Sequence, residues 1–253
     1  MPKSSELRTG TLVVTGGSRG IGASIVRAAL DRGFRVAALS RSGELPSGVE
    51  SYADRVTARA CDLNNEAHVR ECLAALDARF GQIRGLVNNA GIHRAGVSSR
   101  MKSDEFDLLL QTNAVASFKA MRECYPYLKR DGGVIINIGS IFETLGAAQN
   151  AFYSASKAAL SAMTRSLASE WSRDKIALLN VAPGYVATDM NKEYLERPEV
   201  IDYLRRQTLI ARPAYAQEVG ELIAGLLDLD LMLLTGQTLR ADGGHSVAHG
   251  NWN

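Results

Sequence analysis

Cysteine is scarce here, and the three present (Cys61, Cys72 and Cys124) are widely spaced with no CxxC pair. An odd number so spaced excludes a full disulfide framework and a thiolate zinc site. It reads as reduced, semi-buried thiols in a cytosolic protein with no metal centre. Charge of one sign is also lacking. The 29 Lys and Arg nearly cancel the 27 Asp and Glu, leaving +2, so there is no broad attraction to nucleic acid or to a membrane surface. No basic stripe with interleaved aromatics offers a nucleic-acid face. No run reaches the ~20 apolar residues a membrane span needs, and the Leu-rich 226–234 stretch is broken by Asp228 and Asp230. The first eight residues have no apolar core of a signal peptide. Repeats and low-complexity linkers are absent, so residues 1–253 are expected to form one domain.

What the chain does have is alternation. Short β-rich runs at 11–15, 35–40, 56–61, 86–89, 134–138, 176–182 and 237–241 alternate with helical patterns, the signature of an α/β fold with a parallel sheet covered on both faces. Val134-Ile-Ile-Asn-Ile138 is nearly all apolar, as a doubly covered strand requires. A helix follows the first strand and ends at Gly33, and another runs from Glu66 to Phe80 before Gly81. A long helical region is expected from about Ser103 to Lys129, with Pro126 disturbing its last turn. The polar tail His245–Asn253 reads as loose unless Trp252 docks.

The turn after the first strand is Gly16-Gly-Ser-Arg-Gly20-Ile-Gly22. Glycines there let the backbone turn sharply and approach a pyrophosphate, while the next helix aims free N–H groups and its positive end at the anion. Strand, turn and helix in this order are the context that marks a nucleotide site. Ser18, Arg19 and Ile21 lie within that turn. At the end of the second strand, Ser40-Arg41 stands where a carboxylate would accept the ribose of NAD. Arg41 and Arg19 suit a 2′-phosphate, so NADP(H) is the expected cofactor, ahead of NAD(H). Asp62 and Leu63 follow the third strand, near where the adenine would lie; Asp62 could equally cap the helix that begins near Asn65.

Tyr153-Ser-Ala-Ser-Lys157 lies in an Ala- and Ser-rich helical run. Four residues is about one turn, so the phenol and the ammonium share a face. A phenol titrates near ~10, and a neighbouring ammonium favours its ionised form, which makes a Tyr general acid/base chemically reasonable.

With the glycine turn, Asn88-Asn-Ala-Gly91 and Tyr153-x-x-x-Lys157 in order, the chain resembles the short-chain dehydrogenase/reductase family over nearly its whole length. Pro183-Gly184 with Thr188, Thr235-Gly-Gln-Thr-Leu and Asp242-Gly-Gly244 extend the likeness. The resemblance implies a single doubly wound Rossmann-type domain, a seven-stranded parallel sheet and a nicotinamide cofactor. It also implies a catalytic set of Asn113, Ser140, Tyr153 and Lys157. Ser140 would hydrogen-bond the substrate oxygen and Tyr153 would exchange a proton with it. Lys157 would lower the Tyr153 pKa and hold the nicotinamide ribose. Asn113 would use a local backbone distortion to seat a relay water. Asn89, Ala90 and Gly91 would pack beside the cofactor, Asn88 would tie neighbouring strands, and Pro183, Gly184, Val186 and Thr188 would line the nicotinamide side. One position departs from the family: Leu179 stands where Asn is frequent, and Asn180 comes one residue later, on the opposite face of a strand.

Residues 185–215 are the expected substrate lid. Met190, Tyr194, Leu195, Tyr203, Leu204, Leu209 and Ile210 form its apolar side, and Arg205, Arg206 and Arg212 its basic side. His93, Arg94, Ile141, Phe142, Glu143 and Leu145 are candidate wall residues. Within the family the chain looks most like 3-oxoacyl-[acyl-carrier-protein] reductases, whose acidic carrier would meet Lys129, Arg130 and Arg173 unless these are merely solvated helix-end charges. Another secondary alcohol (sugar, steroid or cyclic) remains an open substrate, and a nucleotide-sensing or scaffolding module that keeps the fold without turnover is the alternative of another class. The family also implies a homodimer or homotetramer paired through the 114–127 and Tyr153 helices.

Overall fold

The computed structural model describes residues 9–188 and 191–248. Seven strands form one parallel sheet: β1 (Thr11–Thr15), β2 (Arg35–Ser40), β3 (Val56–Ala60), β4 (Ile83–Asn88), β5 (Gly133–Ile138), β6 (Ile176–Pro183) and β9 (Thr238–Ala241). Their order is β3-β2-β1-β4-β5-β6-β9, every neighbouring pair parallel. The winding reverses between β1 and β4, and the carboxyl ends beside that reversal are where open α/β sheets place ligands.

Alternate strand residues feed two cores. Val14, Val36, Val87, Ile136 and Leu179 pack under α1 (Gly20–Asp31) and α8 (Ala216–Leu226). Val13, Leu39, Leu86, Ile135 and Leu178 pack under α2 (Glu66–Phe80), α4 (Ala116–Leu128) and α5 (Ala151–Trp171). Burial on both faces explains the continuous apolar strands. Cys61 and Cys124 lie in this interior, where burial pushes both thiols up to about 12, so neither is a ready nucleophile.

Several local expectations change. β4 begins at Ile83 rather than Leu86, because Ile83 and Gly85 already pair with β1. The long helical region is not one α-helix. It runs as α3 (Ser103–Leu110), a π segment (Gln111–Val115) and α4. Pro126 lies inside α4, which continues to Leu128.

The 185–215 region contains a pair of two-residue strands, β7 (Val186–Ala187) and β8 (Ala214–Tyr215), with α6 (Lys192–Leu195) and α7 (Pro198–Gln207) between them. Leu195, Val200 and Leu204 form a small core with Tyr185 and Ala187. Tyr194, Tyr203, Leu209 and Ile210, expected on the apolar side, are exposed. Met190 falls outside the described residues. The tail is not loose at its start: the backbone N–H of His245 donates to the Asp242 carbonyl, and its ring stacks on Tyr185 at 5.9 Å. Trp252 lies outside the described residues. Among those residues no helix is long and apolar enough to cross a membrane.

Candidate active site

The glycine turn fits a pyrophosphate. Gly16 and Gly20 have φ of 66° and 58°, a region glycine occupies without strain. At Gly22 a Cβ would stand 2.1 Å from the Gly16 carbonyl oxygen and 2.5 Å from Asn89 Nδ2. Arg19 precedes α1 without a side-chain cap, and the first turn carries no acid, so the leading N–H groups and the helix dipole are free for an anion. Asn89 braces the turn from β4, its Nδ2 donating to the carbonyls of Thr15 and Gly16 at 3.0 and 3.2 Å. Thr188 closes the other side: its Cγ2 lies 3.6 Å from where a Gly20 Cβ would be. Arg19 and Arg41 are exposed, as a 2′-phosphate would need. Asp62 turns the chain by accepting from Asn64 N at 3.0 Å, while Asn65 caps α2 by accepting from His68 N at 3.2 Å. Asn65 therefore takes the cap that the sequence left open to Asp62.

The four catalytic candidates come together from different elements at the carboxyl side of the sheet. Asn113 sits in the π segment, where the wider turn directs its amide inward. It is wholly buried. Its Oδ1 accepts from Ile92 N at 2.8 Å, and its Nδ2 donates to Ile92 O at 2.9 Å and Ser156 Oγ at 3.0 Å. Ser140 follows β5, its Oγ accepting from Phe142 N at 3.3 Å. Tyr153 and Lys157 project from the first turns of α5. Lys157 Nζ lies 5.9 Å from the Tyr153 ring centre and donates to the Ile138 carbonyl at 2.7 Å. Gly91 leaves room beside them: a Cβ there would approach Asn113 Oδ1 at 3.1 Å and Lys157 Nζ at 3.6 Å.

The electrostatics differ from the simple one-turn picture. Burial pushes the Tyr153 phenol above its ordinary value, the Ser140 hydroxyl bonded to it pulls the other way, and the Glu143 carboxylate pushes it further up. Burial brings Lys157 down to about 8, with Glu143 opposing. The expected lowering of Tyr153 by Lys157 is not what governs the phenol here: burial and Glu143 raise it, and only the Ser140 hydroxyl pulls it down.

An aromatic wall extends from Tyr153. His93 meets it edge-on at 4.7 Å and Phe142 at 6.4 Å; Phe142 meets Tyr185 at 5.9 Å, and Tyr185 meets Tyr203 at 5.9 Å. Tyr203 Oη and His245 Nε2 are 3.2 Å apart.

A protein-family model described as short chain dehydrogenase matches residues 10–199. The chain belongs to the short-chain dehydrogenase/reductase family. It is 33% identical to a 3-oxoacyl-[acyl-carrier-protein] reductase of Vibrio cholerae, over 92% of this chain and 95% of that one. It is 35% identical to carbonyl reductase family member 4 of Danio rerio, over 92% and 96%. A solved short-chain dehydrogenase/reductase from Serratia marcescens superposes with a TM-score of 0.87 at 32% identity, covering 95% of this chain and 99% of that one. The chain is therefore a member of an oxidoreductase family that acts on ketones and secondary alcohols with a nicotinamide cofactor.

Asn88 and Asn180 lie on the strands beneath the candidate site of this short-chain dehydrogenase/reductase. Asn88 donates to Asn137 Oδ1 at 2.9 Å, tying β4 to β5. Leu179 is buried in the α1/α8 core, so Asn180 faces α5 and holds Glu143 and Thr238 rather than Asn88. Sequence reasoning passed over Ser156 and His245. Ser156, three residues after Tyr153, shares a helix face with it, the one signal available. His245 carries no pattern that would single it out. Lys129 and Arg130 are engaged within the chain by Asp174 at 3.5 Å and Asp77 at 2.9 Å, whereas Arg173 is exposed.

Proposed function

We propose that the chain is a one-domain NADP(H)-dependent oxidoreductase that interconverts a ketone and a secondary alcohol, with Tyr153 as general acid/base. The observation that carries this reading is the meeting of Asn113, Ser140, Tyr153 and Lys157 beside a glycine turn shaped for a pyrophosphate. The nicotinamide supplies or accepts the hydride when bound. Ser140 holds the substrate oxygen, and Tyr153 passes a proton to it or takes one away. Lys157, anchored on Ile138, orients the ribose, and Asn113 with Ser156 fixes the floor beneath both. Gly16, Ser18, Arg19, Gly20, Ile21 and Gly22 cradle the phosphates; Arg41 and Ser40 select the 2′-phosphate.

The substrate favoured by the relatives' names is a 3-oxoacyl thioester, taken from a carrier in a cytoplasmic homotetramer. Arg173, exposed beside Asp174, is the basic contact we assign to an acidic carrier. The continuous aromatic wall from His93 to His245 favours a second reading, a compact cyclic or sugar alcohol, because rings stack on flat faces. Purified protein tested with NADPH against acetoacetyl thioester and a panel of cyclic ketones, sugars and steroids decides between them. Turnover of the thioester supports the first reading, turnover of rings alone supports the second, and failure to bind either nicotinamide cofactor removes both.

A further inference from the structure

Glu143 is three residues past Ser140 and half-buried. Its two carboxylate oxygens lie 3.0 and 2.9 Å from Asn180 Nδ2. Asn180 is fully buried, and its register on β6 sets it beside Asn137 of β5 and Thr238 of β9. The pair has little freedom. A Cβ on Gly139 would stand 2.5 Å from Glu143 Oε2 and 2.7 Å from Asn180 Oδ1, so Gly139 is the residue that lets them meet. The same carboxylate reaches back to Ser140: its Oε2 lies 3.5 Å from Ser140 N, and Glu143 N donates to Ser140 O at 3.0 Å. Leu179 and Asn180 are thus one coupled feature. The amide that stands one residue later than the family pattern has turned to the α5 face, and there it grips an acid in the catalytic turn.

We infer that Glu143, held by Asn180, is a positioning residue that fixes the Ser140 turn and places a negative charge beside the Tyr153–Lys157 pair. The inference rests on the proposed acid/base role of Tyr153. The titratable groups facing Tyr153 are Lys157 on its own helix, His93 from the loop after β4, and Glu143; the π segment offers only the amide of Asn113. For Lys157 the acid is Glu143. A carboxylate there disfavours the phenolate and favours the ammonium, so it keeps the phenol protonated and the amine charged to higher pH. That state donates a proton, which suits ketone reduction.

The test uses the full chain with NADP⁺ bound. The ionisation of Tyr153 is followed as the tyrosinate absorbance difference between each protein and its Tyr153→Phe counterpart. Glu143→Gln keeps an acceptor for Asn180 and removes the charge. Its Tyr153 midpoint, and the alkaline limb of kcat/KM for ketone reduction, are expected to fall by about one pH unit. Glu143→Asp keeps the charge but shortens the reach, so it should lose turnover severalfold with the midpoint unmoved. The comparison is repeated in a His93→Gln background, which removes the other titratable ring against Tyr153. Equal midpoints for Glu143→Gln and the parent protein overturn the inference, as does an equal shift in Glu143→Asp. The titration needs no turnover: a shifted midpoint in a chain that reduces no ketone keeps the inference about the charge and discards the proposed reaction.

Discussion

Lys157 donates from Nζ to the carbonyl oxygen of Ile138 at 2.7 Å, tying the ammonium of the α5 helix to the last residue of β5. The bond holds a buried cation against the strand end from which Ser140 departs. It also stores a cost, because burial brings Lys157 down to about 8 from 10.5. Below about pH 8 both folded and unfolded chains hold the proton, so the penalty is complete there. Between about 8 and 10.5 the unfolded chain binds the extra proton, so stability from this group rises with pH.

Lys157→Met is accordingly expected to stabilise the fold at pH 7. Relief of the charge is worth about 3 kcal/mol, and the Ile138 carbonyl left unpaired returns ~1 kcal/mol. The net gain should raise the thermal midpoint by roughly 4–8 °C and shrink towards pH 10, while turnover is lost. Differential scanning fluorimetry across pH checks the sign.

Tyr153→Phe should lower turnover by about 10²–10⁴-fold, the usual weight of a positioned acid/base. Cofactor affinity should change little, because the phosphate cradle lies on other elements. NADPH oxidation and a fluorescence titration measure the two separately.

Asn113→Ala should destabilise by about 2–3 kcal/mol, since it leaves the N–H and carbonyl of Ile92 without their buried partner. Turnover should fall more than tenfold, because Asn113 and Lys157 both border the space beside Gly91. Chemical denaturation alongside steady-state kinetics separates these effects.

Arg41→Ala should weaken NADPH by about tenfold, one charge-assisted contact, and leave NADH nearly unchanged. Raising the salt concentration should narrow the gap, because the arginine is exposed. Equal losses for both cofactors would move the 2′-phosphate contact elsewhere.

The glycine turn and the spacing of Tyr153 and Lys157 were legible because local geometry decides what those residues can face, whereas Asn113 and Ser140 were expected only from the family resemblance. The Tyr153–Lys157 pair needs only one turn of α5, and the Gly16–Gly22 turn only its own backbone. The π segment was less legible: Gln111–Val115 has ordinary helical residues, and the wider turn is maintained by the contacts of Asn113 with Ile92 and Ser156. The docking of His245 on Tyr185 and Tyr203 joins residues 42 to 60 positions apart, beyond any periodic signal.

By itself the sequence determined the alternation of strands and helices, the glycine turn and the spacing of Tyr153 and Lys157, all consequences of backbone sterics and short-range periodicity. Only the tertiary structure decided that Asn180 would hold Glu143, that burial would dominate the Tyr153 phenol, and that an aromatic wall would run from His93 to His245. Those depend on which distant segments are packed together and how much water they exclude, and dielectric and contact are properties of the folded interior rather than of any stretch of chain.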